Sequence, residues 1–275
     1  MKLSLSTNWC NRRLERGEEI VAAAAELGFE ELELGFHTTE AQAAEIVKAG
    51  RLPIGSVHAF CPVPLSAPQG YPELYQLASF DDEARAMARF QVKKNIAFAA
   101  SVGADALVLH AGRVFCECLF KRNRPKKRLE RGKKMLDVFK RELEALVPEL
   151  EKNRVTLGLE NLPYPEGFPN LDEVREVTGD WVRPWFDTGH WFAMKSASPE
   201  FGATDIANLK PVGVHLNDSN GGDDHLPPGE GKIDFAALKE LFAEARHIVF
   251  EPGPDVTAEN LLKGKINYET ITRIH

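Results

Sequence analysis

Imidazoles and carboxylates recur at one kind of place along this chain. His58, His110 and His215 fall in the last residues of short apolar runs, PIGSVHAF, ALVLHA and VGVHLND. His190 immediately follows the run VRPWFDT, and His225 lies ten residues after His215. Carboxylates share the location: Glu160 in TLGLENL, Asp187 in VRPWFDT and Glu251 in HIVFEP. A single histidine at a strand end is more often a hydrogen-bonded structural residue than a ligand. That reading would have to hold at many strands at once. Ring nitrogens and carboxylate oxygens arriving from separate strands form the donor set a divalent ion requires, so the expectation is a metal centre.

Such donors converge only if the strands bring their ends to one rim. Strand-like runs cover 3–9, 31–35, 53–60, 106–111, 156–162, 182–188, 212–218 and 247–252. Helical patterns lie near 17–27, 38–49, 81–102, 126–151, 172–178, 199–208, 234–245 and 257–270. Eight strands alternating with eight helices predict a parallel sheet closed into a (β/α)8 TIM barrel, with its active site at the C-terminal strand ends. A doubly wound open sheet is the alternative, and the chain lacks the glycine fingerprint of a nucleotide site that would favour it. Helix-to-strand connections are short, whereas 61–80, 112–125, 163–171 and 219–233 are long strand-to-helix loops rich in Pro and Gly. Long loops at that end of a barrel carry function.

The 275 residues could make two modest domains or one large core. Eight units of about 34 residues use the whole length, near the 30 or more that one unit needs, so one domain over 1–275 is expected. Lys and Arg number 34 against 41 Asp and Glu, a net charge of −7. That balance repels nucleic acid at long range and disfavours a purely electrostatic nucleic-acid binder, while leaving open an enzyme with a locally positive groove. Four cysteines (Cys10, Cys61, Cys116 and Cys118) without a CxxC spacing do not make a disulfide scaffold. No signal peptide and no membrane span is legible. A soluble, cytoplasmic protein is expected.

The same residues carry a resemblance. Gly158-Leu159-Glu160-Asn161, Phe186-Asp187-Thr188-Gly189-His190, Val214 to Ser219, Asp224 to Gly231 and Phe250-Glu251-Pro252 resemble, in order, the xylose isomerase-like TIM-barrel superfamily. Val57-His58 and Leu109 to Gly112 extend the match over roughly 50–255. That superfamily includes sugar and sugar-phosphate isomerases and epimerases, and apurinic endonucleases of the endonuclease IV type. The isomerase branch implies one divalent ion (Mn, Mg, Co or Zn) on Glu160, Asp187, His215 and Glu251. Glu160 and Glu251 would also be the acid/base pair around a metal-stabilised enediolate, and His190 would bond a substrate oxygen. The endonuclease branch implies up to three zinc ions, adding His58, His110, His190, Asp223 and His225, with abasic DNA as substrate. The run from Asp224 to Phe235 resembles the epimerase branch more closely, whereas Leu216-Asn217-Asp218-Ser219 is commoner among the endonucleases. A small-molecule sugar is therefore the expected partner. Nucleic acid is disfavoured, and no membrane is expected. The resemblance also implies a homo-oligomer, although no strip of sequence identifies an interface. Binding without turnover is a third reading, and the weakest, because it needs no paired carboxylates.

Glu33 and Asn8 are placed to point into the barrel mouth, and Glu33 and Trp9 are candidate substrate contacts. Trp9, Phe60, Tyr164 and Trp191 fall near strand ends, where they would make either a sugar-stacking wall or rim packing. The basic run Lys121 to Arg128, continued by Arg131, Lys133 and Lys134, either attracts a phosphate or forms a solvated helix face, and the solvated face is favoured. His37, His247 and His275 are read as structural or surface residues.

Overall fold

The computed structural model describes residues 2–114, 124–198, 206 and 208–273. Eight parallel strands close into a barrel: β1 (Leu3–Ser6), β2 (Glu31–Leu34), β3 (Ile54–His58), β4 (Ala106–Leu109), β5 (Thr156–Glu160), β6 (Val182–Asp187), β7 (Gly213–Leu216) and β8 (His247–Phe250). Each strand pairs with its sequence neighbours, and β1 pairs with β8 to close the ring. The helices are α1 (Gly17–Glu26), α2 (Glu40–Ala49), α3 (Asp82–Ser101), α4 (Arg124–Asn153), α5 (Leu171–Arg175), α6 (Thr188–Ala197), α7 (Lys239–Glu244) and α8 (Ala258–Arg273). All eight expected strands are present. Each ends one to three residues before its apolar run does, because the last residues of the run already turn into caps and loops. The expected helix at 199–208 lies largely outside the described residues, as do Cys116, Cys118 and the start of the basic run.

A strand's side chains alternate between faces, and here the alternation assigns chemistry to one face and packing to the other. Leu3, Leu5, Leu32, Leu34, Val57, Leu107, Leu159, Phe186, Val214, Ile248 and Phe250 belong to the large apolar cluster that the helices cover. The other phase faces the barrel axis. Its lower part is a small cluster of Ala106, Val108, Trp185 and Val249, joined by Val212 just before β7. Trp185 is completely buried there, and space for its indole comes from glycine on both neighbouring strands. A Cβ on Gly158 would lie 2.7 Å from the ring, and one on Gly213 would lie 2.3 Å from it. Glu33, His58, Glu160, Asp187 and His215 are in the same inward phase, two residues beyond Glu31, Ser56, Gly158, Trp185 and Gly213 on their strands. The alternation therefore stacks a polar layer directly above the Trp185 layer.

One helix was not expected. No helical pattern is expected between the run 182–188 and 199, but α6 begins directly after Asp187. Asp187 is its N-cap, with a carboxylate oxygen accepting the His190 N–H at 2.6 Å. A two-residue antiparallel ladder, Gly112–Arg113 against Gly167–Phe168, ties the loop after β4 to the loop after β5.

Candidate metal centre

At the C-terminal rim, one donor atom each from Glu160, Asp187, His215 and Glu251 lies within 4.8 Å of the others, and all four residues are buried. Register places two of them side by side, Asp187 on β6 opposite His215 on β7. The His215 Nδ1 is 3.1 Å from a Glu160 oxygen and 3.1 Å from a Glu251 oxygen, so the two glutamates flank one ring nitrogen. Glu160 also faces a second group. Its other oxygen is 3.1 Å from His58 Nε2 and 3.0 Å from His110 Nε2, and these three residues form a further donor set. A third set comprises His190, Asp224 and His225.

The far side of each ring shows that these are aimed donors. His58 Nδ1 donates to the Ala59 carbonyl at 2.9 Å, His190 Nδ1 to the Asn161 carbonyl at 3.0 Å, and His225 Nδ1 to the Glu251 carbonyl at 2.8 Å. His215 turns its Nε2 to Glu33, 3.2 Å away, and Glu33 is held in turn by the Ser56 hydroxyl at 2.8 Å. Each contact settles the tautomer and leaves the opposite nitrogen facing the centre, the outer-shell arrangement typical of ligating histidines. His190 Nε2 and His225 Nε2 confront each other at 3.3 Å, and two acceptors that close need a proton or a cation between them. His225 holds left-handed backbone (φ 55°), which costs a non-glycine residue about 1–3 kcal/mol. The Asn217 side chain, accepting from its N–H at 3.1 Å, helps keep it there.

The cluster is electrostatically poised for positive charge. Burial opposes ionising Glu160, but His215, His110 and His190 outweigh it and hold that carboxyl well below the ordinary range. Burial likewise disfavours charge on His215, yet Glu251, Glu160 and Glu33 raise its pKa well above that of a free imidazole. His190 is pushed up to about 10 against burial, by Asp187, Glu160 and Asp224. At Asp187 burial prevails over His190 and His225, and the pKa rises. The carboxylates thus draw protons onto the rings, and those protons must leave before the rings can accept a metal ion. Two glutamates, an aspartate and an imidazole with donor atoms within 4.8 Å of one another fit a divalent ion.

Beside these groups lies a cavity of about 210 Å³, walled by Asn8, Phe36, His37 and the Pro252–Gly253–Pro254 stretch. A larger groove of about 1050 Å³ runs between α2 and α3, but among the described residues no histidine or paired carboxylate lines it.

Several expectations need correcting. Asp223 is exposed and its carboxylate accepts from the Asn220 amide at 2.9 Å, whereas the neighbouring Asp224 lies 3.9 Å from His190 Nε2. The turn presents the second aspartate of the pair to the centre. Glu33 is fully buried beneath His215 and does not line the cavity. Trp9 is also buried, and its indole donates to the Val256 carbonyl at 2.7 Å instead of lining the cavity. Phe60 packs edge-on against Tyr75, Tyr164 lies under the Arg113 guanidinium, and Trp191 packs on Phe186. The aromatic that does line the cavity is Phe36, which sequence reading passed over. In the basic run, Lys126, Lys127, Arg131, Lys133 and Lys134 are exposed on α4, while Arg128 is buried against Glu173. Asn161 and Asn217 were also missed as functional. Asn161 bonds the backbone N–H and carbonyl of Asp187 at 2.9 Å each, and Asn217 donates to the Asp187 carboxylate at 2.8 Å. The signal was present, since each asparagine sits within two residues of a predicted ligand.

A closed eightfold barrel with its polar cluster at the C-terminal rim defines the class. The family model for the xylose isomerase-like TIM barrel matches residues 21–264, and the chain belongs to that family. Among solved structures, it resembles a D-tagatose 3-epimerase-like protein (21% identity, TM-score 0.70, covering 100% of this chain and 98% of that one). It also resembles the 3-keto-D-glucoside 4-epimerase of E. coli (18%, TM-score 0.69, covering 98% and 99%). A third is the IOLI protein with a bound zinc atom (15%, TM-score 0.69, covering 99% and 98%). At these identities the likeness is one of fold. No curated protein matches the sequence.

Proposed function

We propose that this protein is a divalent-metal-dependent isomerase or epimerase of a sugar or sugar phosphate. The observation that carries the reading is the buried group Glu160, Asp187, His215 and Glu251 at the edge of a small cavity. Bound there, a Mn, Mg, Co or Zn ion would act as a Lewis acid toward a carbonyl and its neighbouring hydroxyl. Glu160 and Glu251, each 3.1 Å from His215 Nδ1, reach the site from different strands. One removes the proton from the carbon beside the carbonyl and the other returns it; general acid–base catalysis of this kind typically contributes about 10²–10⁴-fold. Asn8, donating to Glu251 Oε1 at 3.0 Å, holds that carboxylate in place. His190 is positioned to bond a substrate oxygen, and Phe36 supplies an apolar wall. The resemblance of three sugar-processing or zinc-binding folds supports the reading, as does the cavity's size, below the roughly 300–1,000 Å³ of clefts for drug-sized ligands. Among the described residues no helix is long and apolar enough to cross a membrane. A cytoplasmic location belongs to the proposal.

The test is turnover of a panel of ketoses and their phosphates in D2O with added Mn²⁺. Product carrying deuterium at the carbon beside the carbonyl is expected. Glu160→Gln and Glu251→Gln should each lower kcat by at least 10²-fold, and wild-type turnover in either variant would refute the two-carboxylate scheme.

The two additional donor groups, His58–His110–Glu160 and His190–Asp224–His225, favour a second reading, an endonuclease IV-like zinc phosphodiesterase acting at abasic sites. Against it, no lysine or arginine stands among the described residues lining the cavity. Elemental analysis separates the two: three zinc ions per chain together with nicking of an abasic duplex would support the second reading and displace the first.

A further inference from the structure

Four of the five histidines at the centre have an acceptor for the ring nitrogen that faces away from it. His110 is the exception. Its Nε2 faces Glu160, but its buried Nδ1 has no hydrogen-bond partner among the described residues. The atom opposite is a Glu73 oxygen, 3.9 Å away, which is also buried and also without a hydrogen-bond partner among the described residues. Glu73 comes from the long loop between β3 and α3. Its other oxygen is paired with Arg113, whose guanidinium lies 4.5 Å from the Tyr164 ring centre and which belongs to the ladder joining the next two loops. The Glu73 carboxylate is thus anchored on one side and open toward His110 on the other.

We propose that Glu73 is the positioning residue for His110. It accepts the Nδ1 proton, directly after a small inward shift of its loop or through one bridging water, and so turns the Nε2 lone pair onto the centre. It does for His110 what Glu33 does for His215. Because Arg113, itself stacked on Tyr164, holds Glu73, residues of three loops together set the aim of this one donor.

The inference rests on the reading that His58, His110 and Glu160 face a cation, and zinc alone is the probe. Zinc affinity is measured by chelator competition for the wild type, Glu73→Ala and Glu73→Gln, and the ring tautomer of His110 by nitrogen-15 NMR of the zinc-loaded proteins. Glu73→Ala should weaken zinc binding about 10–100-fold, the usual effect of removing such a partner, and remove the Nδ1–H signal of His110. Glu73→Gln, which keeps an acceptor oxygen but loses the charge that pairs with Arg113, should retain that signal and recover part of the affinity. If the ion pair with Arg113 were all that mattered, Gln and Ala would be equally impaired with the tautomer unchanged, and the proposal would fall. Wild-type affinity in Glu73→Ala would also overturn it while leaving the cation reading intact. A wild type that takes up no zinc would overturn both.

Discussion

Asp187 shows how much a single residue does at this site. One of its oxygens caps α6 through the His190 N–H, the other accepts from Asn217, and its backbone is held by Asn161. The carboxylate is therefore oriented before any ligand arrives, and preorganised donors of this kind lose little entropy on binding. The adjacent aspartates 223 and 224 give the sharpest residue-scale prediction. Asp224→Asn should lower zinc content or affinity, because its carboxylate faces His190, whereas Asp223→Asn should leave both unchanged, its carboxylate being exposed and engaged by Asn220. Metal analysis of the two variants checks this, and the reverse order would mean that the loop rearranges around the ion. The candidate donor types were legible in the sequence because imidazoles and carboxylates recur together at many strand ends of one barrel, which the structural reading of a single histidine does not account for. Which of two neighbouring aspartates faces inward was not, since that depends on the turn and not on residue type. Nor was the burial of Glu33: an inward position reads the same whether a ligand or a histidine lies above it.

At the scale of elements, the site stands on the packing directly beneath it. Trp185 fills the barrel between the polar rim and the lower end, its ring 5.3 Å from that of His215, and Gly158 and Gly213 are the positions that admit it. Gly213→Ala would drive a methyl to 2.3 Å from the buried indole. Overpacking of that kind costs about 1–3 kcal/mol, and denaturant unfolding should show the loss. Trp185→Phe should be destabilising on its own, yet in the Gly213→Ala background it should cost less than the sum of the two single changes. Strict additivity would show that the glycine is not there for the tryptophan. The strands were legible through their alternation of apolar with small or polar residues. The first turn of α6 was not, because Asp-Thr-Gly-His places a helix cap where a strand-to-helix loop is expected. In a barrel this compact the last residue of β6 serves both strand and helix.

The whole molecule separates its tasks between the two ends of the barrel. The candidate ligands crowd the C-terminal rim, while the N-terminal end is closed by His247, whose Nε2 is 2.8 Å from Asp105 and whose Nδ1 is 3.7 Å from Glu31. Arg246 reaches the same Asp105 at 2.8 Å, and the Ser4 hydroxyl donates to Glu31 at 2.8 Å, so β1, β2, β8 and the entry to β4 meet there. Closure of the barrel was legible from eight strand–helix alternations. This cluster was not, because His247 opens its strand and reads equally as a structural or a surface residue, with nothing in the sequence to name its partners. Burial disfavours charge on His247, but Asp105 and Glu31 outweigh it and raise its pKa. Both carboxylates are lowered in turn: burial raises them, and His247 overrides it. The sign of the pH dependence follows from linkage. A histidine with a raised folded pKa contributes stability that is complete below its unfolded value of about 6.5 and disappears as pH climbs through the folded value. The carboxylates lose their share only as pH falls through their depressed values. The cluster should therefore stabilise most in mildly acidic to neutral solution. Subtracting the unfolding free energy of His247→Gln from that of the wild type isolates it from the rim histidines, which titrate in both proteins. That difference should be about 1 kcal/mol near pH 6, the upper scale of an ion pair with a half-exposed partner, and should shrink steadily toward pH 9. A difference that is flat or grows with pH would mean that His247 is neutral in the folded barrel, and that the N-terminal end is held by Arg246 and packing alone.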